Sequence, residues 1–299
     1  MQQILDRLRI TRVVMAGLLA LAIALPAAAQ GPPALPSWFG GTADDLGWAI
    51  ERTTDGNYII AGRTRSEGAG GSDAQLLKVD ELGNVLWSHT HGGAEDDEFK
   101  DVQLTADGGY IAAGSRTMSG VYYAYLVKTD VDGNVAWERT YGAYCYANAV
   151  QQTPDGGYVF TGKSTEQDPW GDVNLRKVDS AGLEQWSRYF NLAAYADDSG
   201  HSVALTPDGG YIVAGFGGLW SAGQTRMWVI KTDAAGNQMW NTQLGTTPGT
   251  YNMAQDVLVA SDGNYVVAGH LHNGPEQDPV LIKLDPDGAT LWIKNYGGA

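Results

Sequence analysis

Cysteine is almost absent from this chain. Cys145 is the only one, which excludes an internal disulfide and any centre built on paired thiolates, so stability must come from packing. Basic residues are also scarce: 19 Lys and Arg stand against 34 Asp and Glu, for a formal net charge of −15. A surface this acidic argues against nucleic acid or an anionic membrane as partner and suits cations and neutral glycans. Helical periodicity is missing. So is a membrane-spanning run, since the longest apolar stretch, Val13 to Leu25, falls short of the roughly 20 residues a spanning helix needs. Walker loops, dinucleotide fingerprints and a Ser-His-Asp context are absent. His201, His270 and His272 have no recurrent partner at metal-ligand spacing, which argues against zinc.

Arg7, Arg9 and Arg12 precede the apolar stretch and Ala27-Ala28-Ala29 follows it, the pattern of an export signal over residues 1–29. The expectation is a secreted, periplasmic or cell-surface protein with no transmembrane segment in the mature chain. No cysteine follows the stretch to carry a lipid. Residues 30–37, with three prolines, read as a linker, and 38–299 as one repeat domain.

What the chain has in abundance is a repeat. Tyr58, Tyr110, Tyr158, Tyr211 and Tyr265 each follow an Asp-Gly-Gly or Asp-Gly-Asn triplet, and each precedes a glycine by four: Gly62, Gly114, Gly162, Gly215 and Gly269. A Lys-x-Asp pair comes next (Lys78/Asp80, Lys128/Asp130, Lys177/Asp179, Lys231/Asp233, Lys283/Asp285), then a tryptophan seven residues past the aspartate: Trp87, Trp137, Trp186, Trp240 and Trp292. The triplets recur every 48 to 54 residues, a period that marks a propeller or similar array. Each repeat divides into four apolar stretches separated by turn chemistry. The fold expected is therefore all-β, a five-bladed β-propeller with four antiparallel strands per blade. In the second repeat the strands fall at about 98–105, 110–115, 123–129 and 134–141. Residues so regular in every copy, the tyrosines and tryptophans above, belong to the structural core, because a binding site uses a few unequal residues.

The turn between the first two strands of each blade (Asp-Gly-Gly/Asn) and that between the last two (Asp-x-x-Gly) are uniform, and alternating strand direction puts both on one face. The other two connections vary among copies and share the opposite face, which is how a rigid scaffold presents a recognition surface. Trp170, Trp220, Tyr144, Tyr146 and Tyr195 belong to that variable set. They could stack on sugar rings or anchor a protein, or fold over blade edges.

Tyr-Gly-Gly or a variant, Asp-Asp, Thr-x-Asp-Gly-Gly-Tyr-x-x-x-Gly and Lys-x-Asp-x-x-Gly-Asn-x-x-Trp together resemble the bacterial SBBP-type β-propeller repeat, over residues 38–298. The resemblance implies an exported propeller more than it implies an activity. The second half is also similar to the tryptophan-docking repeat of quinoprotein dehydrogenases, but the absence of a vicinal cysteine pair argues against a quinone cofactor. Trp38-Phe39-Gly40-Gly41 echoes Asn295-Tyr296-Gly297-Gly298. That echo fits a closed ring, the favoured expectation, or a piece of a longer array.

Ten residues before each turn aspartate stand Asp45, Asp97, Cys145, Asp198 and Asn252, at the start of the first strand, which lines a propeller's channel. Three carboxylates at one channel mouth could hold a cation such as calcium, or supply acid and base for glycoside hydrolysis. The competing reading is that they cap loop amides, with Cys145 a small half-buried substitute. Asp130-x-Asp132 and Asp285-x-Asp287 look like calcium-loop fragments but read better as turns. The sequence favours a non-catalytic module, without a cofactor, that binds a glycan or an extracellular protein through its variable face. The alternatives are a glycosidase using Asp45, Asp97 and Asp198, and a purely structural cell-surface module.

Overall fold

The computed structural model describes residues 39–193, 195–219, 224–245, 250–273 and 276–297. The expected export signal, the linker, Trp38 and Trp220 lie outside them.

The chain forms five antiparallel sheets in sequence, each with its four main strands in chain order. The first sheet is β1 (Asp45–Arg52), β2 (Tyr58–Thr64), β3 (Asp73–Val79) and β4 (Val85–His91). The second is β5 (Asp97–Leu104), β6 (Tyr110–Met118), β7 (Val121–Thr129) and β8 (Val135–Ala143). The third is β9 (Cys145–Gln152), β10 (Tyr158–Ser164), β11 (Asp172–Val178) and β12 (Glu184–Phe190). The fourth is β13 (Ser199–Leu205), β14 (Tyr211–Leu219), β15 (Gln224–Thr232) and β16 (Gln238–Leu244), with the short β17 (Thr250–Tyr251) pairing parallel to β15. The fifth is β18 (Met253–Val259), β19 (Tyr265–Asn273), β20 (Glu276–Leu284) and β21 (Thr290–Asn295). The inner strands β1, β5, β9, β13 and β18 pack one on the next, while the fourth strands carry exposed side chains such as Leu86, Val135, Met239 and Leu291.

Turn chemistry sets the strand boundaries. In the first hairpin of each sheet the aspartate accepts from the amide two residues on, as Asp155 does from Gly157 (3.0 Å) and Asp208 from Gly210 (3.1 Å). In the second hairpin Asp130 Oδ1 accepts from Asp132 N–H (2.9 Å) and Asn134 N–H (2.8 Å), and Asp285 does the same for Asp287 and Ala289. Those two aspartates are thus committed to turns, as Asx geometry predicts.

The charged pair of each repeat is arranged differently from the Lys-x-Asp spacing. Lys128 reaches not Asp130 but Asp107 of the first hairpin (2.9 Å), Lys177 reaches Asp155 (2.9 Å) and Lys231 reaches Asp208 (2.7 Å). Lys78 and Lys283 pair likewise with Asp55 and Asp262.

Apolar residues fill the spaces between sheets. Among the described residues four clusters fill them, one between each consecutive pair: Ile59, Ala61 and Leu76 of the first sheet against Val102, Tyr110 and Ala112 of the second, and so on to Ile212, Ala214 and Val229 of the fourth against Val257, Tyr265 and Val267 of the fifth. In the first four sheets the strand-four tryptophan meets the tyrosine of the following sheet, with ring centroids 6.0 Å apart for Trp87–Tyr110 and 5.8 Å for Trp137–Tyr158. Among the described residues no strand of the fifth sheet packs on the first as each other sheet packs on its predecessor. The architecture is therefore a β-propeller-like array of five blades, which fits the five-bladed propeller expected from the sequence, and among the described residues strand packing does not by itself join the fifth blade to the first.

Every inner strand carries a β-bulge, at Trp48, Lys100, Asn148, His201 and Gln255. The bulge drives a backbone carbonyl toward the neighbouring strand. A Cβ on Gly62, Gly114, Gly162, Gly215 or Gly269 would come within 1.8–2.1 Å of that oxygen, so each repeat needs glycine there.

Candidate binding site on the variable face

The residues at the inner-strand starts act as staples. Asp97 accepts from Gly93 N–H (2.6 Å) in the incoming loop and from Thr117 N–H (2.9 Å) at the end of β6. Asp198 accepts from Leu192 N–H (2.8 Å) and Gly218 N–H (3.0 Å). Asp45 takes Gly41 N–H (3.0 Å), Arg65 N–H (3.2 Å), Ser66 Oγ–H (2.8 Å) and the hydroxyl of Thr64. Asn252 accepts from His272 N–H (2.8 Å) and donates to Gly245 O (2.8 Å). Cys145, fully buried rather than half-buried, places its thiol 2.9 Å from Ser164 Oγ and 3.4 Å from Ala143 O. Burial pushes that thiol up to about 11, which keeps it protonated and unreactive.

The carboxylates differ in acidity for reasons of place. Burial pushes Asp198 up to about 7, with Asp172 and Asp197 adding to the rise and the two amide bonds opposing it. Burial also raises Asp97. At Asp45, slight burial is outweighed by the four hydrogen bonds, and its acidity is strengthened. Each of the three is tied into its own sheet, and among the described residues no group of three or more His, Cys, Asp or Glu is arranged to hold a metal ion. The alternative reading, three carboxylates gathered at one channel mouth, finds no such group among the described residues.

The aromatic residues are arranged differently. Tyr122 of β7 stands 5.5 Å from Tyr144, edge to face, and 6.3 Å from Tyr146. Tyr144 N–H donates to Tyr122 O (2.7 Å) across the end of the second sheet. Tyr146 is half-buried at the start of β9, and burial, followed by the nearby Asp197 and Tyr122, lifts its hydroxyl to about 12. Tyr144 (47% exposed, φ 55°) and Tyr195 (70% exposed, φ 65°) hold their backbones in the left-handed region, an unusual state for a bulky residue. Lys163 pairs with Asp197 at 2.7 Å beside this cluster, and the exposed Trp170 sits on a turn closed by its N–H to Asp168 Oδ1 (2.9 Å). The second and third sheets thus bring Tyr122, Tyr144 and Tyr146 together, with Asp197 of the charged pair close to Tyr122 and Tyr146.

Sequence reasoning missed the bulge residues. They bridge neighbouring inner strands: Lys100 Nζ lies 3.8 Å from the Trp48 ring centre, Asn148 donates to Gly200 O (2.8 Å), and His201 Nδ1 meets Ala254 O (3.0 Å). The available signal was the position three residues past each staple, where the five copies carry five different side chains.

Fold and surface define the class, a β-propeller-like repeat protein. No family model and no curated protein sequence matches the chain. Among solved structures it is similar to a protein of unknown function from Bacteroides caccae, 13% identical, covering 77% of this chain and 71% of that one, with a TM-score of 0.49. It is also similar to the endo-arabinase of Bacteroides thetaiotaomicron (12% identical, 78% and 91% covered, TM-score 0.45) and to regucalcin, a calcium-binding protein of Agrobacterium tumefaciens (12%, 74% and 69%, TM-score 0.40). These likenesses concern chain path and assign no activity to this chain.

Proposed function

We propose that this chain is an exported, non-catalytic binding module of the SBBP-like kind, and that its ligand is a glycan held on the variable face by the exposed aromatics Tyr144, Tyr195 and Trp170. The observation that carries this reading is the pair of exposed tyrosines in left-handed backbone conformations. Such conformations cost of order 1–3 kcal/mol each and persist where a scaffold over-determines them. Flat rings with a hydroxyl edge suit sugar stacking, and the Lys163–Asp197 pair supplies hydrogen-bonding groups nearby. An acidic, export-directed chain favours a neutral extracellular ligand over a polyanion.

The test is a glycan array followed by calorimetry on the full chain and on Tyr144→Gly and Tyr195→Gly. Glycine accepts the same backbone angle, so both variants should keep the wild-type melting temperature while affinity falls about tenfold, or 1.4 kcal/mol. A wild-type chain that binds no glycan sinks the reading.

A hydrolytic reading has one observation in its favour, the acidity of Asp198 weakened by burial. Both its oxygens are engaged by backbone amides, which leaves no free edge for a leaving group. Hydrolysis of any polysaccharide by the wild type, abolished in Asp198→Asn, would restore that reading.

A further inference from the structure

Four interfaces of one design hold the five sheets, and among the described residues two faces of that same design remain uncovered. In each interface the forward face of one sheet meets the rear face of the next. Ile59, Ile111, Val159 and Ile212 on forward faces are wholly buried, and so are Leu76, Leu126, Leu175 and Val229. Their counterparts on the fifth sheet, Val266 and Leu281, are only half-buried. Tyr296 is 60% exposed, whereas the matching Tyr141 is 7% exposed under the following sheet.

The rear face of the first sheet shows the complementary deficit. Ile50 is 41% exposed where Val102, Val150 and Val203 are fully buried, and Tyr58 and Ile60 are half-buried.

The polar part of the interface has the same unfilled halves. Trp137 Nε1–H donates to Ser180 O (3.0 Å) in the second hairpin of the next sheet, and Trp240 Nε1–H donates to Pro286 O (3.0 Å). Each tryptophan also seats on a glycine of that hairpin. A Cβ on Gly133, Gly182, Gly236 or Gly288 would lie 2.7–3.0 Å from the indole of the preceding sheet. Gly83, the same position in the first sheet, is met only loosely by Phe39, at 3.9 Å. Among the described residues Trp292 has no tyrosine of a following sheet and Tyr58 has no tryptophan of a preceding one.

We propose that the forward face of the fifth sheet docks onto the rear face of the first sheet of a second copy of this chain, with Trp292 seated on the partner subunit's Gly83 and the ring of the partner's Tyr58. The occupant is set by the repeat itself: this face matches forward faces that four times receive a rear face of the first-sheet kind. Within one chain the described residues do not make this fifth interface. The four Trp–Tyr contacts are made at 6.0, 5.8, 5.8 and 6.0 Å, and among the described residues no strand of the fifth sheet packs on the first in the same way. The contact is head-to-tail, so copies assemble into a closed ring or extend as a filament. Phe39 has to yield to Tyr296 of the incoming copy.

Analytical ultracentrifugation of the full chain tests this with two blocked variants, Leu281→Asp on the forward face and Ile50→Asp on the rear face. Both positions are solvent-accessible in the single chain, so each variant should fold, with circular dichroism as the check. The wild type should self-associate, each variant alone should lose association at least tenfold, and their equimolar mixture should form a dimer and nothing larger, because only one compatible pair of faces remains. Melting curves of Trp292→Ala should become independent of protein concentration. A wild type that stays monomeric at its highest soluble concentration, a variant that still associates, or a mixture that stays monomeric overturns the proposal.

Discussion

Lys177 Nζ lies 2.9 Å from Asp155 Oδ2, and through this pair the two halves of the repeat, separate in sequence, lock into one sheet. The lysine is almost wholly buried and also donates to Gln185 Oε1 (3.0 Å) and Val178 O (3.2 Å), while the aspartate is largely exposed. Removing only the aspartate strands a buried charge. Asp155→Ala should therefore cost about 1–2 kcal/mol in urea unfolding, while Lys177→Met should stay within about 1 kcal/mol of wild type. Equal losses in the two variants would contradict this.

The same pairs shape the acid limb of stability. Burial pushes Asp107, Asp155 and Asp208 up, but their lysine and threonine hydrogen bonds outweigh it and hold them down at about 2. A carboxyl depressed in the folded state contributes stability that is present above its ordinary value near 3.8 and lost as pH falls toward 2. Melting temperature should drop steeply between pH 4 and 2, and less steeply in a Lys128→Met/Lys177→Met/Lys231→Met triple variant.

Asp198 works in the opposite sense. Its folded state holds a proton that the unfolded chain releases, so stability should fall as pH rises from about 4 to about 7, by about 1.4 kcal/mol per pH unit at most. Asp198→Asn, which places at this position the residue that blade five carries as Asn252, should flatten that slope in denaturant melts. Its overall stability should be about 1 kcal/mol lower, because Leu192 N–H then faces an amide donor or goes unpaired.

Two glycines of one sheet separate steric from conformational demands. A Cβ on Gly162 would sit 1.8 Å from Tyr146 O, so Gly162→Ala should cost about 3 kcal/mol or more, or abolish soluble expression. Gly156 has φ +80° but nothing within 4 Å, so Gly156→Ala should cost only about 1–2 kcal/mol. Thermal melts of the two variants give the comparison directly.

The tryptophans grade the interfaces. Trp137→Ala removes an indole bonded to Ser180 O and packed on Tyr158 and Gly182, and should cost about 3 kcal/mol. Trp292→Ala, in chain dilute enough to be unassociated, should cost less than about 1 kcal/mol. Similar losses at both positions would mean that the fifth sheet is covered from within the chain.

Strand order and boundaries were legible because they depend on local chemistry. The run 110–115 became β6 with its start at Tyr110 unchanged, since Asp107 closes the turn before it within a few residues. Its far end ran on to Met118 because pairing with Val121–Thr129 continued past the last patterned residue. The staple at Asp97 could be guessed from its place after a glycine-rich loop, but its second partner, Thr117 N–H, lies twenty residues away and carries no mark in the sequence. The bulge at Lys100 was likewise unreadable, since an extra residue in a strand breaks alternation without announcing its direction.

The sequence by itself determined the number of repeats, the four-strand meander within each and the identity of the two uniform turns, because a period of residues and the φ demands of a hairpin are properties of short segments. Tertiary structure alone decided which charge meets which, that Asp45, Asp97 and Asp198 serve separate sheets, and that among the described residues the first and fifth sheets keep uncovered faces. Those outcomes depend on distances between sheets, set by how far each indole sinks onto the glycine of the sheet beside it.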